Sequence, residues 1–407
     1  MIQVIPEISE VAHRGVFGML HAHRFLFRVG LSLANVFAWI FVYQYFLLLS
    51  DTAKGALLST IFMYCIAQIT TIILTPFSAA HLRRSVKNSL VFGALLASAA
   101  YIYLGAALGD TLNSEPLGWG IVIFALLLGA YRAIYWIPYQ LQATTDSRER
   151  FRIPIIYETV IALMPAFAGA TLVLLPFAPL RLLFGAALLL IVSIIPLIYL
   201  HDAVEGFSWN YGETFQQLFA GRHRTILSSS FIQGLQGAVL FLLWPIAAFL
   251  IVGSDYETLG IVLSATLLAV MILRWFYRWF SRGTVLENSA PIHATFSVSG
   301  WILRLFAGTP FAIFFADSYS YVSEPKRAYN IDPFVFEQSA DQGSFIDEYT
   351  ALKEMGLALG RIFASLLFGL FLLWTTLAFA FACMLILAAI ASVASVIIER
   401  RSGLVAY

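Results

Sequence analysis

The chain alternates long apolar runs with short polar breaks. The first six runs lie at roughly 25–49, 55–79, 89–108, 117–140, 154–177 and 180–200. A polar stretch, 201–224, follows, and six more runs lie at roughly 225–252, 258–277, 286–306, 309–323, 350–373 and 376–398. All but 309–323 are long enough for a helix to cross about 30 Å of hydrocarbon. The pattern predicts an all-α integral membrane protein with about twelve transmembrane helices in two six-helix bundles. The bundles are expected at 25–200 and 225–398, with a cytoplasmic connector at 201–224. Cytoplasmic segments are expected at both ends, 1–24 and 399–407. The ninth and tenth helices have the least defined ends, with Gly308-Thr309-Pro310 as a tight turn between them.

Composition agrees with this pattern. The 407 residues are 60% hydrophobic and 12% charged, with a mean hydropathy of +0.84. A soluble domain is about 45–50% apolar and about 25% charged. The net charge of +1 gives no basic surface for nucleic acid. Cys65 and Cys383 both fall within apolar runs and define neither a disulfide framework nor a metal cluster. His13, His21 and His23 lack the spacing of a metal site and read as part of a segment on the membrane surface. The N-terminal stretch is too polar for a signal-peptide core, so the first run is expected to remain as a spanning helix. No phosphate-binding loop, nucleophile elbow or zinc signature occurs, so neither an enzyme nor a cofactor is expected.

The basic residues orient the chain. With the N-terminus inside, the inner loops carry Arg83, Arg84, Lys87, Arg148, Arg150, Arg152, Arg222, Arg224, Arg278, Arg282, Lys326 and Arg327. The opposite loops carry Lys54 and Arg181 beside Asp51, Asp110, Glu115, Asp255 and Glu257. Excess Lys and Arg marks the cytoplasmic side. The chain is therefore expected in the plasma (bacterial inner) membrane with both termini cytoplasmic.

The hairpin Leu117–Leu175 carries charge at membrane depth. Arg132 lies inside one apolar run and Glu158 just inside the next, with a basic loop between them. A charge there costs several kcal/mol unless it is paired or hydrated. One face of this hairpin must therefore meet water or a partner.

Six helices, a central connector and six more helices is the layout of transporters built from two related bundles. GAYRAIYWIPYQ, followed by a basic loop and MPAFAGA, resembles the fourth and fifth helices of major facilitator superfamily transporters. DEYTALKEMGLALGR, before the eleventh helix, resembles divergent bacterial members. The loop PFSAAHLRRSVKN keeps the family's basic cluster but lacks its Asp and Gly, and YRWFSRG also lacks the Asp. The antiporter-associated glycine–proline motif is reduced to Pro165 and Gly169. The resemblance implies a central cavity lined by the first, fourth, seventh and tenth helices, and so places Arg132 near water.

Within that frame Arg132 reads as an anchor for an anionic substrate group, or as a structural partner of Glu158. Gln233 and Gln236, three apart, share a helix face. Together with Asn35, Tyr43 and Gln44 they read as cavity lining, with interhelical pairing as the alternative. Asp317 and Glu158 are proton-coupling candidates, because a carboxyl in an apolar setting takes up a proton more readily. For each, solvation at a helix end is the alternative. Arg83, Arg84, Glu354 and Arg361 read as gating charges that hold the cytoplasmic ends together in one state.

The expected function is secondary active transport of a small organic solute by alternating access, with protons as the candidate coupling ion. The expected partners are the solute and the lipid bilayer, and the expected state is a monomer. A lipid-handling or sensing protein of the same fold is the alternative. The sidedness has a direct test. Cysteines replacing Asp110 and Ser254 should react with an impermeant thiol reagent added outside, and cysteines replacing Arg148 and Arg222 should not. The opposite labelling would invert the orientation.

Overall fold

Hydrocarbon offers no water to backbone amides, so a chain this apolar must satisfy them within each segment. Every regular element among the described residues is helical. In the computed structural model these residues are 7–82, 84–109, 118–145, 155–200, 209–281, 290–322 and 348–401.

The helices are α1 (Glu7–Leu49), α2 (Ala53–His81), α3 (Val86–Gly109), α4 (Gly118–Thr145), α5 (Ile155–Leu174), α6 (Ala178–Val192) and α7 (Ile194–Ile198). Then come α8 (Tyr211–Leu218), α9 (Arg224–Ala238), a π turn (Val239–Leu243) and α10 (Trp244–Ile251). The chain continues with α11 (Tyr256–Ser281), α12 (Ala290–Leu305), α13 (Pro310–Val322), α14 (Glu348–Trp374) and α15 (Leu377–Arg401). Among the described residues ten helical stretches are long and apolar enough to cross a membrane, and the chain is a multi-pass membrane protein. The α6–α7 and α9–π–α10 stretches each count as one of these. The expected ninth and tenth helices are α12 and α13, with 16 and 13 residues, too short to join the ten. Together the ten and these two give the expected count of about twelve.

Helices α1–α7 pack as one group and α9–α15 as another. The two groups meet where α2 packs on α14, α5 on α11, and α10 on α1. Close backbone approach makes the α5–α11 seam possible. A Cβ on Gly169 would lie 2.5 Å from the carbonyl oxygen of Tyr256, and one on Gly260 would collide with that of Pro165. Small residues at such crossings let helices gain van der Waals contact where lipid supplies no hydrophobic drive.

Two boundaries differ from the sequence reading. Helix α1 shows no break near residue 24, and its membrane-compatible stretch includes residues 18–24. Leu20 and His23 are buried inside the bundle, so this stretch does not lie on a membrane surface. His23 can be buried because both ring nitrogens have partners. The expected connector, as far as it is described, contains a short amphipathic helix. Asn210 and Glu213 form a capping box at the start of α8, with the Glu213 amide donating to Asn210 Oδ1 at 2.8 Å. Leu218 then packs with Leu352 and Met355 of α14, beside Ile72 of α2. The connector thereby covers the α2–α14 seam at its arginine-bearing end.

The seventh spanning segment widens at the π turn, which includes Phe241. Pro245 lies four residues after Phe241, lacks the amide to bond its carbonyl, and would clash with it in a regular helix. The rod continues beyond the widened turn with Trp244 buried.

The crossing predicts a contrast in stability. Gly260→Ala should lower the thermal stability of the protein in detergent, by about 1–3 kcal/mol as for other overpacked sites. Gly185→Ala, whose Cβ would meet nothing within 4 Å, should not lower it. Equal effects would remove the argument for close approach.

Candidate functional site

The first bundle presents an aromatic and cationic wall where α1 faces α4. Tyr131, Tyr135 and Tyr139 recur every four residues on α4 and so share one side of it. Phe27 of α1 stacks on Tyr135 with centroids 4.3 Å apart, and the Arg24 guanidinium lies 5.9 Å from the Tyr139 ring centroid. His23 fixes the register: its Nδ1 is 2.7 Å from the Ser193 carbonyl oxygen and its Nε2 is 2.8 Å from the Tyr135 hydroxyl. A carbonyl can only accept, so Nδ1 carries the proton and Tyr135 donates to Nε2 in the neutral ring. Ser193 is where α6 breaks into α7, so this histidine ties three helices together.

Within this wall Arg28 and Arg132 are 4% and 3% exposed. Trp136, one turn beyond Arg132, is also buried, and its Nε1 has no hydrogen-bond partner among the described residues. Glu158 is half-buried in the first turn of α5.

The second bundle holds a buried ion pair. Arg304 Nε of α12 donates to Asp317 Oδ1 of α13 at 2.8 Å, and both side chains are nearly inaccessible. Trp244 Nε1 donates to the other oxygen, Oδ2, at 3.0 Å. The Arg304 guanidinium also lies 4.7 Å from the Trp301 ring centroid and 5.5 Å from that of Trp244. Asp317 is thus not the lone carboxylate its own run suggests. The arginine that compensates it comes from the preceding helix, and the pair with its indole ligand joins α10, α12 and α13.

The remaining expected residues sort by partner. Gln236 Nε2 donates to Ser392 Oγ at 2.6 Å and to the Ala388 carbonyl at 3.3 Å, so it serves α9–α15 packing and not a cavity. Asn35 accepts from the Tyr101 hydroxyl at 3.4 Å within the first bundle. Tyr43 is buried at 1% exposure. Gln44 lies between the bundles, where its Oε1 accepts from the Tyr256 hydroxyl. Around that contact Phe37, Phe41 and Phe249 lie 5.0–5.9 Å from the Tyr256 ring. At the same end Lys54 Nζ donates to the Thr375 carbonyl at 2.7 Å. These contacts join the two bundles at the end of the molecule that carries the short loops.

The α2–α14 seam brings together the polar groups of both bundles. Arg361 is 3% exposed, and its Nη1 donates to Oε1 of fully buried Gln68 at 3.4 Å. Arg361 Nε and Gln68 Nε2 have no hydrogen-bond partner among the described residues. Gly237 of α9 faces the Arg361 guanidinium, since a Cβ there would be 3.6 Å from Nε. One turn earlier on α9, half-buried Gln233 donates to Ser229 Oγ at 3.3 Å, and its Oε1 has no partner among the described residues. The expected gating set is therefore divided. Arg361 bonds Gln68 inside the seam, Glu354 is buried on the same helix, and Arg84 is exposed on its loop. Arg83 lies outside the described residues. Sequence reasoning did not single out Gln68 or Trp136, and it placed His23 in a surface segment. A polar or indole N–H within an apolar run was the signal available for Gln68 and Trp136.

This architecture, two helical groups with buried polar side chains meeting between them, is the fold of the major facilitator transporters. The solved structures it resembles include the xylose transporter XylE from E. coli in a partially occluded inward-open conformation. That likeness has a TM-score of 0.64 and 10% sequence identity over 96% of this chain and 98% of that one. A point mutant of the nucleoside transporter NupG matches with a TM-score of 0.60 and 13% identity, over 94% and 98% of the two chains. A point mutant of the E. coli fucose:proton symporter FucP matches at 0.58 and 11%, over 95% and 98%. No protein-family model matches the sequence, and no curated protein does.

The buried pair makes a quantitative prediction. Arg304→Gln and Asp317→Asn should each destabilise the protein in detergent by about 3–5 kcal/mol, because each leaves one buried charge unopposed. The double variant should lose clearly less than the sum, as thermal unfolding in a double-mutant cycle would record. Additive losses would mean that the two charges do not stabilise each other.

Proposed function

We propose that the protein is a secondary transporter, not an enzyme, and moves a small organic solute across the membrane by alternating access. The observation that carries this reading is the α2–α14 seam. Arg361 of one bundle reaches Gln68 of the other in a buried setting, yet Arg361 Nε, Gln68 Nε2 and Gln233 Oε1 keep unused hydrogen-bonding capacity among the described residues. A buried polar group without a partner costs about 1–3 kcal/mol. Groups that meet a solute during a cycle recover that cost when it binds. The similar folds come from transporters named for xylose, nucleosides and fucose with protons, which suits the same reading.

The cycle proposed is a rocking of the two bundles about the seam. In this conformation Gln44, Tyr256 and the surrounding rings hold the short-loop end shut. With the basic loops in the cytoplasm of a bacterial cell and this protein in its inner membrane, the shut end faces outward. Arg132, Gln233 and Arg361 are the proposed solute contacts. A proton is the proposed coupling ion, taken up at half-buried Glu158 or at Asp317. At Asp317 uptake requires Arg304 to withdraw, which would loosen α12 from α13. A single chain contains the whole pathway, so a monomer suffices.

Uptake of labelled solutes into proteoliposomes, with and without an imposed proton gradient, tests transport directly. Gradient-dependent accumulation is expected, and no protein-dependent flux for any solute would oppose the reading. The latch gives a second test. In a background with Cys65 and Cys383 replaced, Gln44→Cys and Tyr256→Cys joined by a short bifunctional thiol reagent should stop transport, and a cleavable reagent should restore it on reduction. Undiminished transport through the joined protein would contradict a cycle that opens this end.

A further inference from the structure

At the α2–α14 seam a buried cation of one bundle meets the other bundle. Arg361 lies near the middle of its Thr350–Trp374 span, and Gln68 near the middle of Ala53–His81. Each is more than about 15 Å along its helix from either end. Transporters built from two related bundles hold their ligands at this depth, on the interface between the halves. Arg361 is 3% exposed and Gln68 is fully buried. On the α9 side the guanidinium has no way out. A Cβ on Gly234 would collide with the Leu357 carbonyl, and one on Gly360 with that of Phe231, so α9 and α14 are in backbone contact within their bundle. The α2 side belongs to the other bundle, and it is the side that opens in a rocking cycle.

The guanidinium is only partly used. Nη1 donates to Gln68 Oε1 at 3.4 Å, which is long for a hydrogen bond from a charged group. The Nε and Nη2 donors share the edge that grips a carboxylate side-on, and neither has a hydrogen bond among the described residues. No carboxylate among the described residues pairs with Arg361. Gln68 adds a donor to the same place. Nη1 can only donate, so the Gln68 atom facing it is the oxygen, and the amide is oriented by that contact. Its Nε2, on the same carbon, has no acceptor among the described residues. Unused donors of both bundles and an unopposed positive charge therefore meet at one contact. Water or a neutral solute accepts from the donors and leaves the charge. An anionic oxygen pair answers both.

Gly237 of α9 leaves the Nε edge without a side chain, since a Cβ there would reach 3.6 Å from Nε and meet nothing closer. We propose that Arg361 and Gln68 together bind an oxyanion of the solute, a carboxylate or a phosphate, between the two bundles. Arg361 supplies charge and the planar pair of donors on its free edge, and Gln68 supplies one directed donor from the facing helix. Because the two ligating side chains stand on different bundles, the bound anion ties α2 to α14 and favours the closed seam. That the anion is carried rests on the transport reading, whereas the site itself can be tested without transport.

The test is ligand-induced thermal stabilisation of the full chain in detergent, at neutral pH and constant ionic strength. The probes are lactate, succinate, benzoate and glycerol phosphate, each beside lactamide, succinamide, benzamide or glycerol at equal concentration. Xylose is the neutral control, and chloride and inorganic phosphate are the inorganic ones. At least one organic anion should stabilise the protein where its neutral counterpart does not. Gln68→Glu is the deciding variant, because it supplies an anion from within the chain. It should raise the melting temperature of the ligand-free protein. It should also weaken the response to that anion at least about tenfold, as loss of one hydrogen bond to a charged group implies. Were Arg361 already compensated, the new carboxylate would be a further buried charge without a partner, and the variant would lose stability. Arg361→Gln should abolish the response, and Arg361→Lys should restore only part of it, since Lys lacks the planar fork. Should Arg361→Gln fail to fold, Gln68→Glu still decides the matter. Organic anions no better than their neutral counterparts, or stabilisation by the inorganic ions alone, would overturn the proposal. So would a Gln68→Glu protein that is less stable or unfolded, or one that keeps the full response. Uptake of the same compounds separates the two claims. Flux of xylose with no anion effect would sink the anion site and leave transport standing. An anion that binds through Arg361 and Gln68 but is never carried would keep the site and sink the transport reading.

Discussion

Charge in hydrocarbon is the constraint on which this structure turns. A bilayer core gives an arginine or aspartate neither water nor counterion, so each must find its compensation within the protein. Arg304 and Asp317 do so within one bundle, at 2.8 Å, and a tryptophan N–H occupies the remaining carboxylate oxygen. Arg361 makes one contact across the two bundles, to the neutral amide of Gln68. Arg28 and Arg132 are buried by the same bundle packing, beside the aromatic wall of α1 and α4. These groups therefore determine which helix faces turn away from lipid, and with them how the helices are arranged around the centre.

The same constraint separates fixed parts from movable ones. Inside the bundles the polar groups are tied within short range: His23 between Ser193 and Tyr135, Gln236 on Ser392, Asp317 between Arg304 and Trp244. Between the bundles Arg361 meets Gln68, Tyr256 meets Gln44, Lys54 meets the Thr375 carbonyl and the Ala166 amide meets Ser264 Oγ, while Arg361 Nε and Gln68 Nε2 have no partner among the described residues. The glycine-to-carbonyl crossings of α5 and α11 make that interface close-packed, and Ser264 Oγ accepts from the Ala166 amide across it at 2.8 Å.

Hydropathy made the all-helical, multi-span fold and its approximate number of spans legible, because the bilayer imposes length and polarity directly on sequence. The shortness of the tenth run was visible too, together with its polar end, whereas the ninth run read as a full span. What could not be read was pairing. Asp317 and Arg304 were each noticeable as charges in apolar runs, but their contact depends on how α12 and α13 dock against α10. Gln44 meets Tyr256 across 212 positions, and Arg361 meets Gln68 across 293, separations on which local pattern is silent. Gln236 looked like cavity lining because a polar side chain at membrane depth has two outlets, water or another helix, and only packing decides between them. His23 was assigned to the surface because the first long apolar run starts after it. A histidine with both nitrogens satisfied does not have to mark a membrane boundary.

The central claim is that two internally rigid bundles rock about a buried polar seam. It is tested most directly by measuring distances between spin labels at both ends of the protein in lipid. Asp51 and Ser254 are exposed at the short-loop end, one on each bundle, and Arg84 and Arg222 are exposed at the opposite end. The account predicts two populations whose weights shift with solute or proton gradient, with the first distance lengthening as the second shortens. A single distance at each end, unchanged under every condition that supports transport, would contradict it.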